Sequence, residues 1–292
     1  MVQELYTDSF GYEWRKWAAV QYEADNTGTR MAGHTTNMFR RITGWSDADI
    51  RDKLVVDFGC GGGRFLDLVR AMGGIAVGID LSLAVEPARE RLRGDRNVLV
   101  VQGDVLNPPF KRASFDAGYT IGVLHHTPDP ATGLRRLAEA VKAGGRIACS
   151  VYPKNSPYDY PSLRLYRRIY RTLERVVGAG AARRLALGYA YFAAYGLYYG
   201  VRVLGRIPLL RRLITPLVRH AFVFYDIPDP RWRILDVFDA ITPKYASTHS
   251  AEEVRRWFVD AGCTEIIQTD WGDTAYSAVR GSHGAQTESR SA

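Results

Sequence analysis

Through the middle of the chain, apolar runs of strand length alternate with segments whose apolar positions have helical spacing. This pattern predicts strands and helices in turn. Residues 54–56 form an apolar run typical of a buried parallel strand, and the apolar positions between 65 and 69 have helical spacing. Further strands are predicted at 73–82, at 97–105, within 114–130 and at 143–152, with a helix over 134–141. This order is typical of a doubly wound α/β fold.

Short elements return near the carboxyl end of the sequence. A helix is predicted over 250–260, with Val254, Trp257 and Phe258 as its apolar face. Ser250 is its expected N-cap, and Glu253 completes a capping-box pattern. Residues 264–281 predict two strands around a Gly-Asp turn.

Residues 153–237 interrupt the α/β pattern. An amphipathic helix is predicted over 163–177, with arginines on one face and apolar side chains on the other. The apolar face comprises Leu163, Tyr166, either Ile169 or Tyr170, Leu173 and Val177. The uncharged stretch 185–201 is short for a bilayer span and rich in Tyr and Gly. We therefore expect a helical cap rather than a transmembrane segment.

The positive charge of the chain is concentrated in this cap. The formal net charge is +8, while Pro161–His220 contains twelve Arg, no Lys and one acid, Glu174. Without a visible RNA-binding module, nucleic acid is not an expected partner. Three roles are open for the arginines. They could form the solvated surface of a lid, hold an anionic or lipid-linked acceptor, or make peripheral contact with an anionic membrane. The three cysteines have no disulfide spacing, and no signal-sequence pattern is visible, so we expect a cytoplasmic protein.

The turn after the first strand carries the clearest chemical signal. Residues 57–63 are Asp-Phe-Gly-Cys-Gly-Gly-Gly. Glycines before a helix let backbone N–H groups approach an anionic or nucleotide-like cofactor closely. A dinucleotide fingerprint needs a small residue where this chain has Arg64 or Leu66, so the spacing for NAD or flavin fails.

An acid followed by G-x-G-x-G resembles motif I of the class I S-adenosylmethionine (SAM) dependent methyltransferases. Asp80 ends the second predicted strand, 21 residues beyond Gly59, where an acid accepts hydrogen bonds from ribose hydroxyls. In the family, residues at the positions of Asp104 and Val105 bind adenine, and 114–130 resembles motif IV. The resemblance covers about residues 50–152 and 235–281.

This resemblance implies an α/β fold with a Rossmann-like, doubly wound seven-stranded sheet, an antiparallel last strand and SAM as cofactor. The implied cofactor-binding residues are Asp57, Gly59, Gly61, Gly63, Asp80, Leu81, Asp104 and Val105. A strand-end aspartate often caps the next helix instead, and that alternative stays open for Asp57, Asp80 and Asp104.

A hydroxyl acceptor benefits from a base, and histidine is suited to that role near neutral pH. His125 and His126 lie on the loop after the fourth strand, where the family brings the acceptor to the methyl group. Tyr245 and His249 are the next candidates. Each of these could instead make a structural hydrogen bond. No metal-ligand spacing is evident, so we expect no metal.

The predicted organisation has four parts. A helical lid rich in aromatics, including Trp14, Tyr22 and His34, is expected over 1–50, the core over 51–152 and 235–281, the cap over 153–234 and a disordered tail over 282–292. We expect methyl transfer to a hydroxyl of a sugar, lipid-linked glycan or secondary metabolite. The alternatives are C-methylation of a prenyl or quinone-like substrate, an NAD(P)-dependent oxidoreductase, and a cofactor-binding scaffold without turnover.

Overall fold

Seven strands form one mixed sheet in this computed structural model, which describes residues 8–207, 212, 218 and 220–282. The strands are β1 Leu54–Phe58, β2 Ile75–Asp80, β3 Val98–Gln102, β4 Phe115–Ile121, β5 Val141–Ser150, β6 Cys263–Gln268 and β7 Ala275–Arg280. Their order is β3-β2-β1-β4-β5-β7-β6, with β7 antiparallel to both of its neighbours. The predicted Rossmann-like sheet with an antiparallel last strand is confirmed. The predicted tail, from residue 283, lies outside the described residues.

Helices cover both faces of this sheet and extend beyond its carboxyl edge. Those before the cap are α1 Asp8–Trp17, α2 Glu23–Asn26, α3 His34–Thr43, α4 Asp47–Ile50, α5 Arg64–Ala71, α6 Val85–Arg91 and α7 Pro130–Ala140. Those from the cap onward are α8 Pro161–Val177, α9 Ala179–Tyr191, α10 Tyr198–Leu204, α11 Pro230–Ile241 and α12 Ala251–Asp260. A π-helical segment, Phe192–Leu197, joins α9 to α10.

The strand order reverses between β1 and β4, because β1 pairs with β2 on one side and with β4 on the other. In open α/β sheets the crevice at such a switch point binds ligands beyond the carboxyl ends of the strands. The glycine turn follows β1 and the histidine loop follows β4. The topology therefore brings the two strongest sequence signals to one crevice.

Three apolar clusters support this arrangement. Two of them lie against the sheet and include Phe39 and Tyr119 in one, and Val56 and Phe258 in the other. The third joins the amino-terminal helices to the cap and α11, and it includes Trp17, Ala190 and Phe238. The lid and cap thus share one core. The continuous helix α11 also crosses position 234/235, where the sequence places the boundary between cap and core.

Several local predictions need correction. On α8 the buried side chains are Leu163, Arg167 and Tyr170, whereas Ile169 and Val177 are about half exposed. An arginine therefore lies on the face expected to be apolar. Helix α7 begins at Pro130 rather than 134, because Asp129 caps it through the Thr132 N–H. Among the described residues, no helix has the length and apolarity needed to cross a membrane.

The amino-terminal end of α12 follows the prediction in part. The Ser250 hydroxyl accepts a hydrogen bond from the Glu253 N–H at 3.2 Å, as an N-cap does. The Glu253 carboxylate contacts His249 and Lys154 at 2.7 and 3.2 Å. Only the serine half of the predicted capping box is therefore made.

Candidate active site

The glycine turn is held open by its backbone conformation and by the lid. Gly59 has φ +89°, and a Cβ there would lie 2.3 Å from the Val123 side chain. Gly63, with φ +88°, is the N-cap of α5. The buried Tyr22 hydroxyl donates to the Gly62 carbonyl at 2.6 Å. Close approach of backbone and side chains therefore requires glycine in this turn.

Asp80 connects the ends of β1 and β2. Its Oδ2 accepts the Gly61 N–H at 2.9 Å, and its Oδ1 accepts the Ser82 N–H and hydroxyl at 2.8 and 2.6 Å. Burial raises the pKa of this carboxyl, against the lowering effect of these hydrogen bonds. The side chain thus fixes the glycine turn at the edge of the crevice.

Asp57 is more deeply enclosed than its neighbour Asp80. Its side chain is 2% exposed, and burial raises the pKa of its carboxyl from 3.8 to about 8. The buried Tyr119 hydroxyl interacts with this carboxyl and lowers its pKa, against the larger effect of burial. The carboxyl is therefore held mainly neutral at pH 7, and the glycine-turn N–H of Gly61 donates to Asp80 instead.

A cavity of about 440 Å³ opens at this crevice. Five of the predicted cofactor residues line it: Gly59, Gly61, Asp80, Leu81 and Val105. Asp57, Gly63 and Asp104 lie outside this lining. The carboxylate of Asp104 accepts the Leu106 N–H at 2.9 Å, so it forms a local turn. From the lid, Trp14 and His34 also line the cavity.

Charged residues that sequence reasoning missed also line this cavity. Arg64 lies at the cavity together with Glu13, Asp236 and Asp239. Burial lowers the pKa of Arg64 to about 10, which leaves it charged near pH 7. Burial and the charge of Asp239 raise the pKa of Asp236 to about 7. The signal available in the sequence was the pair Asp236 and Asp239 within the otherwise apolar stretch 234–241.

Glu13 is the most enclosed of these acids. It is 1% exposed, its Oε2 has no hydrogen-bond partner, and burial followed by the charges of Asp239 and Asp236 raises its pKa well above the usual value. Within the described ranges, no group of three or more His, Cys, Asp or Glu side chains is arranged to hold a metal ion. A buried acid with a free acceptor atom instead suits a cationic or N–H-bearing group.

The two histidines after β4 have different hydrogen-bond roles. Nδ1 of His126 lies 2.8 Å from the Tyr245 carbonyl, which can only accept, so Nδ1 carries the hydrogen and Nε2 has a free lone pair. Nδ1 of His125 accepts the Tyr152 N–H at 3.3 Å, so the hydrogen of its neutral ring is on Nε2. Burial lowers the pKa of both rings, and both line the cavity.

Aromatic rings continue the wall that these histidines begin. The ring centroids of His125 and Tyr152 are 3.6 Å apart, and those of Tyr152 and Tyr158 are 3.7 Å apart, both pairs being stacked. Phe10 lies against His126 at 4.9 Å. The Tyr152 hydroxyl donates to Asp239 at 3.2 Å. Because Tyr152 stacks against both His125 and Tyr158, these rings form a rigid wall that carries polar groups at its edges.

The other two predicted catalytic residues lie elsewhere. Tyr245 and His249 line a second pocket and not the cofactor cavity. The His249 ring contacts Glu253 at 2.7 Å and the Ser247 hydroxyl at 2.8 Å. Tyr245 reaches the cavity wall through its carbonyl, which orients His126.

The residues present fit SAM. Its methionine end carries one carboxylate and one ammonium group, and the cavity offers Arg64 together with the unpaired acid Glu13. Its adenosine end needs close backbone approach and an acid, which Gly59, Gly61 and Asp80 supply. Trp14 lies over Gly61, where an added Cβ would be 3.1 Å from the indole nitrogen. An aromatic face there suits a sulfonium cation.

Comparisons with known proteins agree with this fit. Residues 56–149 match the model of a methyltransferase domain. The chain is 35% identical over 181 residues to a 2-phytyl-1,4-naphtoquinone methyltransferase of Synechococcus elongatus, covering 58% of this chain and 74% of the relative. It is 35% identical over 133 residues to a demethylmenaquinone methyltransferase of Corynebacterium kroppenstedtii, covering 46% of this chain and 56% of the relative.

A solved structure of similar extent is a SAM-dependent methyltransferase of Thermotoga maritima described as a possible histamine N-methyltransferase. It is 16% identical, covers 94% of this chain and 98% of its own, and has a TM-score of 0.49. Family membership rests on the sequence matches and on the sheet. The chain belongs to the class I SAM-dependent methyltransferases, and SAM is its cofactor. This family membership replaces the alternative, left open by the sequence, of an NAD(P)-dependent oxidoreductase.

Proposed function

We propose that this enzyme transfers a methyl group to a planar aromatic acceptor that carries an ionisable hydroxyl, of the phenol or hydroquinone class. The observation that carries the proposal is the orientation of His126, whose Nδ1–H is fixed on the Tyr245 carbonyl at 2.8 Å. The aromatic rings of Phe10, Trp14 and Trp232 line the same cavity and support an aromatic acceptor. The quinone methyltransferases among the relatives support the same class.

The chain's residues would assist the reaction by positioning and by proton transfer. When bound, SAM supplies a methyl group on a positively charged sulfur. His126 Nε2 takes the proton from the acceptor hydroxyl, while the Tyr245 carbonyl stabilises the ring with its hydrogen on Nδ1. The lid residues Phe10 and Trp14 and the α11 residue Leu235 exclude water from the cavity.

The acceptor class is tested with a panel that contains a naphthohydroquinone, simple phenols of graded acidity and a sugar. We expect methylated product from the hydroquinone and phenols, with mass spectrometry and NMR assigning the methyl to oxygen or ring carbon. A preference for the sugar would contradict the proposal and favour the glycan acceptor predicted from the sequence. Binding of S-adenosylhomocysteine without product from any of these would favour a scaffold without turnover.

The role of His126 is tested by replacing it with glutamine. Loss of the base should lower kcat by about 10²–10⁴, with the largest loss for the least acidic hydroxyl. Burial lowers the pKa of His126 below 6.5, so wild-type kcat/KM should rise with pH through an acidic limb and level off above it. That limb should disappear in His126→Gln. His220→Gln, at an exposed ring, is the control, and an equal loss there would contradict the assignment.

A further inference from the structure

A second concavity lies between α8 and the loop 243–249, and it has a volume of about 450 Å³. The described residues that line it include no carboxylate and five cations, which are Arg164, Arg167, Arg168, Arg171 and Lys244. Among the described residues, the ion pair made by these side chains joins Arg164 to Asp159 at 3.8 Å. The pocket therefore has a large excess of positive charge.

Arg167 is built into the floor of this pocket. Its side chain is 5% exposed, Nε donates to the Ala240 carbonyl at 2.8 Å, and Nη1 donates to the Ala246 carbonyl at 3.4 Å. Its Nη2 is buried without a hydrogen-bond partner. A guanidinium keeps its charge in proteins, so Arg167 contributes positive charge from the floor of the pocket, while the more exposed arginines of α8 offer N–H donors to a ligand.

We propose that this pocket binds a phosphate group, carried as a phosphomonoester, a diphosphate or a phosphodiester. Arg164, Arg168 and Arg171 follow one face of α8 at i, i+4 and i+7, so their guanidinium groups point to the same side. Guanidinium forks match phosphate oxygens in bidentate geometry, and Lys244 adds a point charge from the opposite wall.

The pocket is next to the cavity but separate from it. Thr127 lines both, and the loop carrying Lys244 and Tyr245 lies between them. That loop is fastened to the histidine loop, because the Ser247 N–H donates to the His125 carbonyl at 3.0 Å. A phosphate held here would therefore lie outside the proposed site of methyl transfer, and its binding can be measured without turnover.

The phosphate could belong to a free molecule or to a lipid headgroup. On α8, Leu165, Ile169 and Val176 are 55%, 47% and 74% exposed and follow a stripe adjacent to the arginine face. An apolar stripe flanked by arginines is typical of helices that lie in a membrane interface. The same pocket could thus hold a headgroup phosphate while the stripe contacts acyl chains.

The test uses the full-length protein and two probes at about 0.1 M ionic strength, where distant surface charges are screened. Calorimetry with pyrophosphate reports a free phosphate ligand. Flotation with phosphatidylcholine vesicles, with and without phosphatidylglycerol, reports a headgroup. The double variant Arg168→Gln with Arg171→Gln removes one wall of the pocket, and Lys244→Gln changes the opposite wall. The matched control is Arg175→Gln, an exposed arginine one turn further along α8 and outside the pocket.

We expect the double variant to weaken binding of at least one probe tenfold or more, and Lys244→Gln to weaken the same probe. Arg175→Gln should stay within twofold of the wild type. Loss of pyrophosphate binding identifies a soluble ligand, and loss restricted to anionic vesicles identifies a lipid. Binding of neither probe by the wild type, or an equal effect of Arg175→Gln, would overturn the proposal. Thermal unfolding of each variant shows that the fold is retained.

Discussion

Asp57 and Asp80 lie at the carboxyl ends of adjacent parallel strands, but their surroundings differ. Asp80 accepts three hydrogen bonds and reaches the glycine turn, whereas Asp57 is buried and interacts with the Tyr119 hydroxyl. Desolvation raises the pKa of a carboxyl, and hydrogen bonds to the charged form lower it. The sequence predicts the same roles for both acids, because it does not show which of them the glycine N–H groups will face.

Asp80→Ala should weaken binding of S-adenosylhomocysteine at least tenfold, which corresponds to about 1.4 kcal/mol. The substitution removes the acceptor that fixes the Gly61 N–H and the acid predicted to bind the ribose hydroxyls. Calorimetry measures the affinity, and thermal unfolding without ligand shows whether the variant still folds. An unchanged affinity would remove Asp80 from the cofactor site.

Asp57→Asn should change how stability depends on pH. Between about pH 4 and pH 8 the unfolded chain loses the Asp57 proton while the folded protein keeps it, because the folded pKa is about 8. The free energy of unfolding of the wild type therefore falls as pH rises, by up to about 1.4 kcal/mol per unit. Asparagine cannot ionise, so the variant should gain stability relative to wild type across this window.

Urea unfolding at several pH values measures that difference. Exposed Asp52→Asn, close to the start of β1, controls for the loss of one acidic side chain. If the difference between Asp57→Asn and wild type stayed constant from pH 4 to pH 8, the carboxyl would not be held neutral in the folded state.

At the scale of elements, the sequence predicts the secondary-structure features that depend on local periodicity. The strands, the glycine turn and the Ser250 cap follow from spacing within a few residues, and each is found. The positions of Glu13, Arg64, Asp236 and Asp239 depend instead on how α1, α5 and α11 meet. No local pattern shows that four charged side chains from three helices will share one cavity.

The arginine-rich helix α8 shows the same limit. Its periodicity predicts an apolar face and a basic face, but Arg167 lies on the buried side. Its Nε and Nη1 bond carbonyls of α11 and of the loop that follows, which come from 73 and 79 residues further along the chain. Burying an arginine is tolerated when such acceptors exist, and they are visible only in the folded structure.

At the scale of the whole molecule, the lid, the cap and α11 behave as one packed unit. Helix α9 packs against α11, and α11 packs against α1, which supplies Phe10, Glu13 and Trp14 to the cavity. Because the third cluster joins all these helices, we expect a disturbance in the cap to reach the cofactor as well.

Ala190→Asp tests this coupling. Ala190 is fully buried in the third cluster, and a carboxylate there would lose water without gaining a partner, at a cost of several kcal/mol. We expect lower stability in urea and weaker binding of S-adenosylhomocysteine, because displacing α9 also displaces α11 and α1. Leu185→Asp places the same charge on the same helix at a side chain that is 55% exposed, and it should leave both measurements near wild type. Full cofactor affinity in a destabilised Ala190→Asp variant would show that the cap serves the acceptor alone.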